Sequence, residues 1–154
     1  RTGQRRKAWP RPLKRYKFGG NIRNVAFGPG RTLYVAAGGA GFHVVDARRP
    51  RALKRVATVR VPDFTHGVSA WGARVAVAGG ESGVWLYNCR RRNRPKKLAN
   101  YQPKRTRNAN KVQLRRGTVY VAYDHAGLHV LKVRPGPRLT REAQFTVVKP
   151  PKRR

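Results

Sequence analysis

Apolar residues fall in short runs of about five, each followed by a glycine-bearing turn and a second short run, and no stretch carries the 3.6-residue spacing of a helix. Three segments superimpose on this pattern: TLYVAAGGAGFHVVDARRP (residues 32–50), RVAVAGGESGVWLYNCRRR (74–92) and TVYVAYDHAGLHVLKVRPG (118–136). Within them Gly41, Gly83 and Gly127 lie 42 and 44 residues apart. A further run precedes each pair (NIRNVAF, FTHGVSA, NANKVQL), with Val25, Val68 and Val112 spaced by 43 and 44 residues. Another run follows each pair (LKRVATVRV, KLANYQ, LTREAQFTV). Valine and aromatic residues fill the inner runs, as a pleated, half-buried surface favours. The pattern predicts an all-β protein of three repeats, each with four antiparallel strands.

Four short strands per repeat of about 43 residues is the arithmetic of a β-propeller blade. The predicted blades occupy residues 19–62, 63–104 and 105–148, between a basic arm (1–18) and a basic tail (149–154). Inside the arm, RPLKRYKF (residues 11–18) reads as the orphan outer strand of a further blade.

The third strands FHVVD (42–46), VWLYN (84–88) and LHVLK (128–132) resemble the LVIVD repeat, which is named for that strand, and the Asp46-Ala47-Arg48-Arg49-Pro50 continuation is similar to the family's strand-end turn. Asn88 and Lys132 stand where the first repeat has Asp46. The resemblance spans residues 19–148. It implies a propeller, in a family often found on prokaryotic surface proteins, and brings no activity with it. Three blades leave open edges, which need covering. A homodimer closing a six-bladed ring, a partner protein completing an open arc, or further blades in a longer chain would each cover them.

Charge changes the picture most. The 154 residues include 37 Lys and Arg against 5 Asp and Glu, a formal net charge of +32. Repulsion at that density opposes compaction, and solubility needs far less. A polyanion offsets it, because each phosphate neutralised releases condensed counterions.

The cations are also unevenly placed. None occurs in residues 32–47, 75–89 or 117–131, the second and third strands of each unit. They crowd between the third and fourth strands: Arg48, Arg49 and Arg51 in the first unit, Arg90, Arg91, Arg92, Arg94, Lys96 and Lys97 in the second, Arg134 and Arg138 in the third. Arg31, Arg74, Arg115 and Arg116 sit at the turns between first and second strands. In an up-and-down sheet these two sets of loops share one end, which predicts a polyanion-binding face there. Lys104, Arg105 and Arg107 form a basic loop at the opposite, nearly neutral end. The arm, with Arg5, Arg6 and Lys7, and the tail, with Lys152, Arg153 and Arg154, are Pro-punctuated and suited to threading along phosphates.

Nucleic acid is the expected partner, RNA ahead of DNA, since a compact core with basic arms resembles a ribosomal protein in composition. Arginine outnumbers lysine, which suits bidentate phosphate contacts. The aromatic strand motif of RNA-recognition domains, the GXXG loop and the basic zipper are absent from the sequence, so backbone and shape recognition is expected. A general DNA-compacting or extracellular polyanion binder, or an artificially supercharged propeller scaffold, would share this composition.

Candidate chemistry is sparse. Zinc-spaced Cys/His sets, a phosphate-cradling glycine loop and a nucleophile elbow do not occur, and five scattered carboxylates make paired acid–base catalysis unexpected. No enzyme activity, cofactor or metal is therefore expected. His43 and His129 share one repeat position with Trp85, and a place that accepts His or Trp reads as packing. Asp124-His125 is adjacent in a turn, which does not aim one side chain at the other. Arg23, His66 and Asn110 each stand two residues before a first-strand valine, so they are expected to line a common channel. The single cysteine, Cys89, excludes an internal disulfide and reads as a partly buried structural residue, despite the neighbouring arginines. No apolar run approaches the ~18 residues of a membrane span, and no signal-peptide pattern is present in the sequence.

Overall fold

In a computed structural model that describes residues 12–104, 108–136 and 138–146, each repeat folds into its own antiparallel four-stranded sheet in up-and-down order. The first sheet comprises β1 (Asn24–Gly28), β2 (Thr32–Ala36), β3 (Phe42–Asp46) and β4 (Lys54–Val59). The second comprises β5 (Gly67–Trp71), β6 (Arg74–Ala78), β7 (Val84–Asn88) and β8 (Lys96–Tyr101). The third comprises β9 (Ala109–Arg115), β10 (Thr118–Tyr123), β11 (Gly127–Arg134) and β12 (Arg138–Phe145). The predicted all-β class and its three four-stranded units are therefore present. No helix among the described residues is long and apolar enough to cross a membrane.

Glycine at one repeated position makes the shared geometry possible. Gly41, Gly83 and Gly127 open the third strand at φ of +83°, +80° and +76°, a left-handed conformation that costs other residues energy. A Cβ at each would also run into a backbone carbonyl at the end of the fourth strand: Val59, Tyr101 and Phe145 respectively. Each fourth strand also carries a bulge after three pairs counted from the glycine turn, between Val44/Val45, Leu86/Tyr87 and Val130/Leu131 of its partner.

Two apolar cores lie between successive sheets. Tyr34, Ala36, Phe42 and Val44 of the first sheet meet Val68, Val75, Val77 and Tyr87 of the second. Ala76, Ala78, Val84 and Leu86, from the other side of the second sheet, meet Val112, Leu114, Val119, Val121 and Leu131 of the third. The two-residue period of a strand sends Val75 and Val77 one way and Ala76 and Ala78 the other. This explains why β6 is apolar from Val75 to Ala78. Burying each such valine or leucine contributes about 1.5–3 kcal/mol, which opposes the repulsion among the cations.

First strands stand side by side. Asn24 Oδ1 accepts from the Val68 amide at 3.0 Å, and Ser69 Oγ accepts from the Leu114 amide at 2.9 Å. At the glycine-turn end, Gly38 pairs with Thr65 and Gly80 with Ala109, tying each turn to the segment entering the next sheet. Among the described residues no sheet follows the outward face of the third sheet. Tyr120 and Phe145, equivalents of the buried Tyr34 and half-buried Val59, are 42% and 60% exposed.

Residues 12–18 correct one expectation. They form no strand. They lie on the first sheet instead. Tyr16 Oη donates to the Pro50 carbonyl and accepts from the Leu53 amide, Phe18 meets His43 edge-on, and Arg55 donates to the Phe18 carbonyl.

Candidate polyanion-binding surface

Strand alternation puts the 1–2 turns and the 3–4 loops of each sheet at the same end, opposite the glycine turns. Contacts between sheets bear this out. Pro29, Gly30 and Thr32 from the β1–β2 turn share a cleft of about 280 Å³ with Ala73, Cys89, Arg90 and Arg92 of the second sheet. Arg92 reaches across to Asp46 of the first sheet at 4.0 Å, and Arg115 lies 6.0 Å from the Trp71 ring. The candidates Arg48, Arg49, Arg51, Arg90, Arg91, Arg94, Lys96, Lys97, Arg115 and Arg116 are all exposed in this region, and Arg92 is half-buried.

Carboxylates near them are few. Asp46 binds Arg48 at 2.6 Å and ends its strand by accepting from the Arg48 amide. Those two contacts with Arg48, side chain first, pull the Asp46 pKa down to about 2. Glu142 holds Arg134 at 2.5 Å. Asp63 accepts backbone amides of Phe64 and Glu81 at the glycine-turn end, and Asp124 accepts from Asn110 there. Among the described residues no other ion pair forms, so most of the cations at the basic end have no protein counter-ion.

Lys104 stands apart from the basic end, as expected. It lines an open cleft of about 620 Å³ with Tyr101, His125, Ala126, His129, Arg141 and Gln144. Arg105 and Arg107 beside it, and Arg5, Arg6, Lys7, Lys152, Arg153 and Arg154 of the arm and tail, lie outside the described residues.

The histidine positions are packing positions, and they differ in how well they are satisfied. His43 is buried with Nδ1 3.0 Å from Thr58 Oγ1 and Nε2 3.1 Å from the Gly19 carbonyl. Trp85 donates to Ser82 Oγ at 2.9 Å. His129 Nδ1 lies 3.2 Å from Tyr101 Oη, while its buried Nε2 has no hydrogen-bond partner among the described residues. Burial, then the charge of Arg141, lowers the His129 pKa. The Ala126 carbonyl opposes that shift weakly but accepts its hydrogen bond from Gln144.

Arg23, His66 and Asn110 come together as their alignment predicted, around a cleft of about 260 Å³ with Ile22 and Lys111. Cys89 is buried, and burial pushes its thiol up to about 12 against the opposing effect of a hydrogen bond with Tyr34. Among the described residues no three His, Cys, Asp or Glu side chains gather as metal ligands.

Sequence reasoning missed Thr32, which lies fully buried in the inter-sheet cleft with an unpartnered hydroxyl. Its only sequence signal was its place next to the Pro29–Arg31 turn, which gives no hint of the arginines packed over it. No protein-family model matches the sequence, and no curated protein is significantly similar to it.

Proposed function

We propose that this protein is a structural polyanion binder, an RNA-binding component of a ribonucleoprotein such as a ribosome. It grips phosphate backbone through its basic loops and termini. One observation carries the reading: ten candidate cations are exposed at the end of the sheets where Asp46 is the carboxylate that meets them. Ordinary surface loops intersperse both signs. Phosphates would supply the missing counter-ions and release their own, which makes binding favourable and salt-dependent.

Within this reading the three sheets are blades of a propeller similar to the LVIVD-repeat family, with the first strands lining a central channel. Support comes from the side-by-side first strands and from the cleft of about 440 Å³ that β1, β5 and β9 enclose. The uncovered face of the third sheet is where a second copy or a partner protein would complete the ring.

The test is co-sedimentation with ribosomal particles at about 0.15 M salt, where long-range attraction is already screened, with and without nuclease. Release by RNase but not DNase from a defined particle is the expected result. Indifference to RNase, with equal binding to DNA and heparin, would reassign the protein as a general polyanion binder.

A further inference from the structure

Three arginines occupy one repeat position, two residues after the aligned Asp46, Asn88 and Lys132: Arg48, Arg90 and Arg134. Two are already neutralised. Arg48 is held by Asp46 at 2.6 Å and Arg134 by Glu142 at 2.5 Å. In the middle sheet the Asp46 position is Asn88, which keeps the turn by accepting from the Arg90 amide at 3.0 Å but carries no charge. The Arg90 guanidinium therefore has no hydrogen bond or ion pair among the described residues.

Arg90 also stands between two clefts. On one side Asn88, Arg91, Arg94 and Lys96 join it around about 350 Å³. On the other lies the inter-sheet cleft of about 280 Å³, where Thr32 and Arg92 also line the wall. Thr32 Oγ1 is buried without a hydrogen-bond partner, and Arg92 Nη1, also buried, has only its 4.0 Å ion pair to Asp46, which is costly unless something accepts from them. Both are donors. The missing group is an acceptor, and five cations around the two clefts ask that it be anionic.

We propose that the loop between β7 and β8 is the tightest seat for the polyanion, taking two phosphodiester oxyanions on either side of Arg90, the inner one accepting from Thr32 and Arg92. This rests on the polyanion-binding reading and narrows it from a charged face to one loop. The equivalent loops of the first and third sheets then serve as weaker, screened contacts.

The experiment measures affinity for a labelled single-stranded RNA of about 10 nucleotides, within the usual site size of such binders, over a salt series. Arg90→Gln is expected to weaken binding about fivefold at 0.15 M salt and to flatten the log–log salt slope by about 1, one lost phosphate contact. Arg134→Gln removes the same formal charge from an arginine already paired, and the expected loss is under about twofold. Arg48→Gln is a poorer control, because it would hand Asp46 to Arg92. Thr32→Val keeps the buried shape and removes an unpartnered hydroxyl, so the unfolding midpoint should hold or rise while binding weakens. Equal losses for Arg90→Gln and Arg134→Gln would overturn the seat while leaving polyanion binding intact. Wild-type binding that ignores salt would instead sink the polyanion reading itself.

Discussion

Tyr101 Oη lies 3.2 Å from His129 Nδ1, joining the last residue of one sheet's outer strand to the third strand of the next sheet. The phenol and Nδ1 share one hydrogen bond, and Nε2 on the far side of the ring is buried without a partner among the described residues. Protonating the ring would place a charge in an enclosed site near Arg141, so the folded-state pKa falls below the usual 6.5.

The sign of the pH dependence follows. The unfolded chain binds a proton at His129 before the folded chain does, so this contribution to stability is complete above pH 6.5 and is lost as pH falls below it. At constant ionic strength the unfolding midpoint should drop between pH 7.5 and about 5. His129→Phe should flatten that slope, whatever its effect on the midpoint. An unchanged slope in the variant would show that His129 does not couple to folding. Asp46 acts in a separate window: its depressed pKa gives stability that is present above 3.8 and disappears as pH falls toward about 2.

Gly83→Ala tests the repeated third-strand glycine. The new Cβ would adopt φ of +80° and collide with the Tyr101 carbonyl, so a loss of roughly 2–4 kcal/mol is expected. Gly72→Ala is the matched control: its φ is +56°, but nothing lies within 4 Å of the added carbon. It should cost only about 1 kcal/mol. Urea titrations with equal m-values would read the difference, and equal losses would mean that the carbonyl approach carries no energy.

Cys89 should be unreactive in the native protein. With the thiol buried and its pKa near 12, little thiolate exists at pH 8, and the sulfur is out of reach of a bulky disulfide reagent. Modification is expected only at the rate of unfolding, rising with denaturant. Fast labelling in native buffer would show that the inter-sheet cleft beside Arg90 and Arg92 opens readily.

Much of this architecture was legible because each sheet repeats one solution. The spacing of Gly41, Gly83 and Gly127 marks the third strands, and the alignment of Arg23, His66 and Asn110 foretold a shared cleft. What failed was the strand expected at residues 11–18. A strand needs ladder pairing, which periodicity cannot supply; Tyr16 instead bonds to Pro50 and Leu53, and Phe18 meets His43. Nor could the sequence distinguish His43 from His129, since their difference lies in whether the Gly19 carbonyl, 24 residues away, reaches Nε2. Arg48 and Arg90 looked alike as loop cations. Only the ion pair to Asp46 separates them, although the change from Asp46 to Asn88 was its visible trace.

Arg116 sets fold against function in one residue. It forms the two-residue turn between β9 and β10 with Gly117, at φ of +47° and +77°. Both values suit a type I′ turn, for which Asn-Gly is the favoured pair. An arginine in the left-handed region costs about 1 kcal/mol, and its exposed side chain makes no ion pair among the described residues. Arg116→Asn should therefore stabilise the fold by roughly 0.5–1 kcal/mol while weakening polyanion binding and reducing its salt slope. Thermal unfolding and RNA titration on the same preparation separate the two effects. A variant that is more stable and binds as well as the wild type would remove Arg116 from the binding surface. One that is less stable would mean that the arginine supports the turn.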